Sequence, residues 1–535
     1  MGSKYFLVAA LMLVALVHAD QNQTGFLSID CGASTSNYID ATTGFTYVSD
    51  EGFTENGVNR VIADAYKVQV NEQQFWNVRS FPEGRRNCYT LKPTLGKGTK
   101  YAVRARFMYG NYDNEGQPPT FDLYLGVDLW DTVITQYPWF RVEKEIIFFP
   151  TEDRIDVCLV NSGYGTPFIS VLELRPWNTQ SYNVNETGSV LVNFGRYDLN
   201  PAINQVSRYK EDVYDRLWSP FTTDIWTPIN TTSGDNITKN IYQVPSPVMS
   251  NAYTPNATSK NLGLVFTPGN STFKFYFYLH FAEIQLLQAN ESREFNIYVN
   301  DDLSQGPFVP SFLETTTIIS RSDSVSSDGK IYIWLNQTKN STLPPLLNAV
   351  EFYRITELSQ LGTDQTDVNA ILNIKSMYRV KRNWQGDPCL PEAYLWDGLN
   401  CSYNANNPPR IISLNLSSGG LEGLISSYIA NLTMLQSLDL SNNNLTGTIP
   451  DFLAQLSFLR VINLKGNNLK GPVPAALLER SNNGLSLSVD DNVLGNQKLS
   501  PPTNETSSSP RYSCSKDFFV PLFASVGGIW LHFIL

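Results

Sequence analysis

The chain has 535 residues, 42% of them hydrophobic and only 17% charged, and Tyr, Phe and Trp together reach 12%. That length allows roughly two to four domains, and the apolar content supports packed cores and excludes wholesale disorder. The formal net charge of −11 comes without a basic stripe, which excludes nucleic-acid binding, because an acidic chain gains nothing from counterion release.

Residues 1–19 read as a secretory signal peptide. Lys4 supplies the positive start, Tyr5 to Val17 is almost wholly apolar, and Val17-His18-Ala19 places compact residues before a cut at Asp20. The run is too short to cross a bilayer core of about 30 Å comfortably. Export agrees with a dense scatter of Asn-x-Ser/Thr sequons. They fall at Asn22, Asn185, Asn230, Asn236, Asn256, Asn270, Asn290, Asn336, Asn340, Asn400, Asn415, Asn431, Asn444 and Asn504. Six cysteines can form disulfides in such a compartment.

The next stretch is duplicated. "YAVRARFMYG" from Tyr101 pairs with "YFYLHFAEIQ" from Tyr276, "FDLYLGVD" from Phe121 with "FNIYVNDD" from Phe295, and "PFISVLEL" from Pro167 with "PLLNAVEF" from Pro345. The members of each pair lie roughly 175 residues apart in the same order. Each run alternates apolar and polar residues with period two, as a half-buried strand does, and Gly, Pro, Asn and Asp clusters mark the turns. "LGKGTK" at Leu95 reads as a hairpin turn, since it lacks the spacing of a phosphate loop. Two β-sandwich copies are expected, at 25–178 and 188–356.

A helical connector follows at 357–383, capped by Asp364 or Thr366, with Val368, Ile371 and Leu372 on one face. Residues 384–410 read as a cap closed by a Cys389–Cys401 disulfide, with Trp384 and Trp396 over an open core; a metal site is the rival reading. From 411 to 492 a 24-residue period places Ile411, Leu414 and Leu416, then Leu435, Leu438 and Leu440, then Leu459, Ile462 and Leu464. That is the L-x-x-L-x-L pattern of a leucine-rich repeat, with Asn443 and Asn467 at the turning backbone and Gly419 in their place in the first repeat. Residues 493–517 form a polar stalk. Residues 518–535 form an apolar tail, either a minimal transmembrane helix or a glycolipid-anchor signal. The overall class is mainly β, with a short α/β solenoid at the C-terminal end.

No arrangement of catalytic residues stands out. Outside the signal and the tail the only histidine is His280, in an alternating strand, where a structural hydrogen bond is expected; a His-rich zinc site is excluded. Glu283, Asp122 and Asp128 are candidates for a glycosidase pair only because spacing cannot exclude them. Neither enzyme activity nor a cofactor is expected. Cys31, Cys88 and Cys158 allow three pairings. Cys88 and Cys158 both sit in strand-like runs, which favours that pair and leaves Cys31 a buried thiol; Cys514 is left over, free or available to a second chain.

"FLSIDCG", "RSFPEGRRNCYTL", "FDLYLGVDLW", "DVYDRLWSP", "YLHFAEIQ" and "LPPLLNAVEFYRI" resemble the malectin-like domain of plant leucine-rich repeat receptor-like kinases. "NWQGDPCLPEAYLWDGLNCSY" resembles the join those proteins use before their repeats. The resemblance covers nearly all of Phe26 to Asn492 and implies two tandem malectin-like sandwiches, a short solenoid and a receptor role. The kinase signatures are absent, so signalling is expected to run through a partner. The resemblance points to a cell-surface protein, exported to the outer face of the plasma membrane and held there by its tail. It is expected to recognise a cell-wall glycan or a peptide and to meet a co-receptor through the repeats. A structural wall-to-membrane tether and a secreted decoy are the alternatives. Since malectin stacks aromatic rings on sugars, Tyr109, Tyr112, Trp130, Trp139 and Tyr164 are the candidate ligand contacts, and the cleft between the lobes is a second candidate.

Overall fold

A computed structural model describes residues 23–494 apart from 35–36, 68–71, 179, 183–187, 257–258, 269, 271, 359–360 and 405, together with His532–Ile534. The signal peptide, Asn22, Asn185, Asn504, Cys514, nearly all of the stalk and most of the tail lie outside the described residues. No helix among the described residues is long and apolar enough to cross a membrane.

The first lobe contributes β1 (Leu27–Asp30), β2 (Asn37–Ile39), β3 (Thr46–Ser49), β4 (Val58–Val61), β5 (Asn77–Ser80), β6 (Arg86–Leu91) and β7 (Lys100–Met108). It continues with β8 (Thr120–Leu125), β9 (Asp128–Ile134), β10 (Arg141–Phe148), β11 (Ile155–Tyr164), β12 (Phe168–Ile169) and β13 (Val171–Trp177). The second lobe holds β14 (Ser189–Leu199), β15 (Ser219–Phe221), β16 (Trp226–Asn230), β17 (Asn251–Pro255), β18 (Asn261–Phe266) and β19 (Lys274–Phe281). It ends with β20 (Phe295–Val299), β21 (Asp302–Phe308), β22 (Thr316–Ser322), β23 (Ile331–Gln337) and β24 (Ala349–Glu357).

The duplication is exact in strand order. In the first lobe β1-β13-β7-β10 faces β6-β11-β8-β9; in the second β14-β24-β19-β22 faces β18-β23-β20-β21. The copies are not separate sandwiches, however. β10 pairs with β14 at Ile146↔Val192 and Ile147↔Leu191, so one sheet runs through both lobes. Each lobe keeps its own apolar core between its two layers. The turn at Leu95 joins the two layers, from β6 to β7, rather than closing a hairpin.

Simple alternation holds in the equivalent strands β8 and β20. Both bury every second residue, the signature of a strand with one wet face. β7 departs from it, being buried at all nine positions, Arg104 and Arg106 included. Its polar face is covered by the segment between β14 and β15, which supplies Arg208, Asp212, Asp215 and Arg216. Buried charges need partners, and they have them. Arg104 pairs with Glu145 at 2.7 Å and Glu173 at 2.9 Å, and Asp215 pairs with Arg175 and Arg208, each at 2.8 Å. Arg196 of β14 crosses between the lobes, bonding Glu145 at 2.8 Å and Glu351 at 2.7 Å.

The connector helix Gln365–Tyr378 is capped by Asp364, whose carboxylate accepts from the Thr366 and Asp367 amides. Its Ala370, Ile371, Ile374 and Tyr378 join the core of the solenoid. Solenoid strands Asn407–Asn415, Ser437–Asp439, Val461–Asn463 and Ser486–Ser488 stack in parallel. Asn443 shows why the repeat needs an amide: its Nδ2 donates to the carbonyls of Leu416 and Leu440, and its Oδ1 accepts from Leu421 N–H. Trp384 and Trp396 stack at 5.1 Å and share the solenoid core with the Cys389–Cys401 disulfide.

The solenoid cap is docked on the first lobe. The buried guanidinium of Arg86 donates to three cap carbonyls, Gln385 and Asp387 at 2.7 Å and Leu390 at 2.6 Å. The Gln385 side chain accepts from Cys88 N–H at 2.7 Å, and Asn383 donates to Arg86 O at 3.0 Å. Gly386 has a φ of +67° and lies so close to the Cys88–Cys158 disulfide that a Cβ there would stand 2.9 and 3.1 Å from the two sulfurs. Only glycine satisfies both demands. Lys375 of the connector helix reaches Glu55 at 2.6 Å from the other side.

Candidate ligand surface of the first lobe

The five aromatic candidates separate by burial. Tyr109, Tyr112 and Trp130 are buried and present no ring face to a ligand, which corrects the expectation for these three. Tyr109 and Tyr112 pack edge to face at 5.4 Å, and both rings meet Phe168. Burial pushes the Tyr112 phenol up to about 12. Trp130 lies on β9, where its carbonyl accepts from Arg354 of the second lobe at 2.7 Å. Period two marks which residues alternate in such strands but not which face a neighbouring loop covers.

Trp139 and Tyr164 are open, at 54% and 55% exposure. Trp139 belongs to "YPWF" between β9 and β10. There Phe140 N–H donates to Tyr137 O at 3.0 Å, a tight turn with proline at its second position. The turn stands the side chains outward. Tyr137, also 54% exposed, stacks on Trp139 with centroids 5.6 Å apart and planes 8° from parallel, and Phe140 meets Trp139 edge-on at 6.2 Å. Gly110 N–H holds the turn from below by donating to Pro138 O at 2.7 Å. Sequence reading found Trp139 and missed Tyr137 and Phe140; their adjacency in "YPWF" was the available signal.

The cleft between the lobes is a poor receptacle. It holds about 150 Å³ beside Asn193–Arg196 of β14, just past the last β10–β14 pair at Ile146↔Val192. Its charged groups Arg104, Glu145 and Arg196 are already bound to one another or to neighbouring carboxylates.

Three of the groups that sequence left open for catalysis, His280, Glu283 and Asp122, are engaged with neighbouring side chains. His280 is buried, with Nδ1 2.9 Å from Thr317 Oγ1 and Nε2 3.1 Å from Glu351 Oε1; burial lowers its pKa despite the carboxylate. Burial opposes ionisation of Glu351 too, but Arg196, His280 and Arg216 overcome it and hold its carboxyl well below the ordinary range. Glu283 is buried against Arg293 at 2.7 Å, and Asp122 accepts from Thr132 Oγ1 at 2.8 Å. No group of three or more His, Cys, Asp or Glu among the described residues could hold a metal ion. Cys88 and Cys158 are bonded to each other, and Cys31 is a buried free thiol whose pKa burial pushes up.

Of the sequon asparagines, the eleven that lie among the described residues are all exposed or half-buried. Their distribution is uneven. Seven fall in the second lobe, from Asn230 to Asn340, four fall in the cap and solenoid, and residues 25–178 carry none. The aromatic plate therefore stands on a lobe whose own sequence offers no attachment point for an N-glycan. In the solenoid Asn415, Asn431 and Asn444 are exposed, so glycans there would cover part of the surface expected to meet a co-receptor.

A family model described as malectin-like domain matches residues 29–355, and a leucine rich repeat model matches 409–469. The chain is 48% identical over 535 residues to a probable LRR receptor-like serine/threonine-protein kinase of Arabidopsis thaliana, covering 99% of this chain and 61% of that protein. It is 44% identical over 440 residues to the LRR receptor-like serine/threonine-protein kinase IOS1 of the same plant, covering 81% of this chain and 48% of that protein. The chain thus spans about half to three fifths of these relatives. The crystal structure of the ANX2 ectodomain from Arabidopsis thaliana shares the fold. Its TM-score is 0.51 at 18% identity, covering 63% of this chain and 98% of that one.

Proposed function

Since the chain belongs to the malectin-like domain family and carries leucine-rich repeats behind its two lobes, we propose that it is the extracellular recognition part of a plant cell-surface receptor. It has no catalytic role of its own in this reading. The first lobe binds a cell-wall glycan and the solenoid meets a co-receptor. The observation that carries the reading is the Tyr137–Trp139 plate, two stacked and open rings on the sequon-free lobe. Pyranose rings present flat C–H faces, and aromatic rings with open faces are the side chains that pack on them. Exposed apolar groups that are contiguous mark interaction sites more reliably than scattered ones.

The test is a cell-wall oligosaccharide array probed with the glycosylated ectodomain, Asp20 to Ser509, beside the Trp139→Ala and Tyr137→Ala variants. Saturable binding that both variants abolish is the expected result. Binding that neither variant alters, or a blank array from well-folded protein, sinks the glycan reading and turns the search to peptides.

A further inference from the structure

The first lobe holds a second recognition feature, well apart in sequence from the plate. A cavity of about 330 Å³ opens beside β4, within the range of small-ligand sites. Six of its seven lining residues are polar: Ser34, Ser49, Asp50, Glu51, Asn59 and Arg79. The polar wall is fixed in place. Arg79 Nε donates to Asp50 Oδ2 at 2.9 Å, Tyr89 OH donates to the same oxygen at 2.8 Å, and the Arg79 guanidinium also bonds Asn59 Oδ1.

That wall mixes acceptors (Asp50, Glu51) with donors (Arg79 and the Asn59 amide) and two serine hydroxyls. A cation asks for acceptors only and an anion for donors only. A sugar hydroxyl both gives and accepts, so a mixed wall suits it. Two carboxylates against one guanidinium also disfavour a uronic acid, whose own carboxylate they would repel. The single apolar lining residue, Ala33, offers no anchor of the kind peptide interfaces use.

The cavity and the plate are connected. Asn59 lies on β4, which is exposed at all four positions, and Val61, two residues on and on the same face as Asn59, is 53% exposed. Just past the end of β4, Ala63 N–H donates to Gly110 O at 2.8 Å, and Gly110 N–H donates to Pro138 O at 2.7 Å, directly under the plate. Two backbone hydrogen bonds thus tie the open strand beside the cavity to the turn that carries the plate, on the lobe that lacks sequons.

We propose that cavity, strand and plate form one binding groove for a linear, uncharged oligosaccharide. One sugar is seated among Asp50, Glu51, Asn59 and Arg79, the following units pass over Val61, which shares the Asn59 face of β4, and the far units stack on Tyr137 and Trp139. The inference rests on the glycan reading above and adds the ligand's charge, its minimum length and a second point of attachment.

Calorimetric titration of the glycosylated ectodomain with cello-oligosaccharides from cellobiose to cellohexaose tests it, with oligogalacturonate as the charged probe. Affinity rises with chain length, oligogalacturonate does not compete, and Asn59→Ala and Glu51→Ala each weaken cellohexaose about tenfold or more, near 1.4 kcal/mol. Both residues are exposed, so neither variant threatens the fold; thermal melts verify this. If only Trp139→Ala weakens binding, the groove is overturned while the plate reading survives. Oligogalacturonate binding as tightly as cellohexaose, affinity independent of length, or no binding of any neutral oligomer each overturns the groove as well. In the last case the array decides the glycan reading separately.

Discussion

The two lobes share a strand order and differ in what they expose. The second lobe carries seven sequons and no described disulfide; the first carries none of the sequons but has the Cys88–Cys158 bond, the docked solenoid, the open aromatic plate and the polar cavity. Duplication preserved what the period-two strands specify and left the loops free to diverge, and binding surfaces concentrate in such loops. In the proposed reading the first lobe is the contact unit, and the second, which carries the sequons, is its support.

The comparison breaks first at the seam, where the lobes cease to be two. Arg196 is the hinge pin of the shared sheet, held by Glu145 on one side and by Glu351 and Tyr353 OH on the other. Arg196→Ala leaves two buried carboxylates without their main counter-charge, which costs about 3–5 kcal/mol. A calorimetric melt should show the lobes losing a common transition. A variant that melts as one unit at the wild-type temperature would mean that backbone pairing alone joins them.

Next in size is the joint that only the first lobe makes. Arg86→Ala removes one charged donor from three carbonyls and should weaken docking by about 2–3 kcal/mol. The lobe cores do not depend on it, so the melt of the lobes is retained. Amide exchange at 383–390 accelerates, and unchanged exchange there refutes the docking.

These two sites also mark how far the sequence could be read. The duplication and the solenoid were legible because their periods are local. The cysteine pair was reachable because both partners sit in strands. The shared sheet was not legible, since the β10–β14 register is backbone pairing that no side-chain pattern announces. Nor was the charge network: Arg104 and Arg106 sit where an alternating strand shows its wet face, and only the covering segment with Asp212 and Asp215 makes that face interior. Arg86 and Gly386 stood in two motifs that pointed to the same family, and nothing in either string said that they touch.

A smaller effect separates the first strands of the lobes. Burial pushes Asp30 on β1 up to about 7, against hydrogen bonds from Tyr38 and Asn77, and pushes Asp198 on β14 up to about 8. A raised carboxyl binds its proton more tightly in the folded state. Stability therefore declines as pH rises from about 4 toward 7 or 8, by at most about 1.4 kcal/mol per pH unit for each group. Asp215 acts in the opposite sense: burial disfavours its charge, but Arg208, Arg175 and Arg104 hold it near 2, so its contribution is lost as pH falls from about 4 to 2. Asp198→Asn should stabilise the chain by on the order of 1–2 kcal/mol at pH 8 and change little at pH 4. Urea titrations at the two pH values check this, and an equal effect at both would show that Asp198 is already ionised when folded.

The smallest expected effect bears hardest on the division of labour. Trp139 touches Tyr137 and Phe140 at the surface and belongs to no core, so Trp139→Ala should shift stability by less than about 0.5 kcal/mol. Exposed aromatic area that contributes nothing to folding is what the proposed contact role requires. A melt that fell by more than about 2 kcal/mol would make the plate a packing element. The sequon-free lobe would then need another reason to be bare, and the asymmetry between the lobes would be one of glycan placement rather than of function.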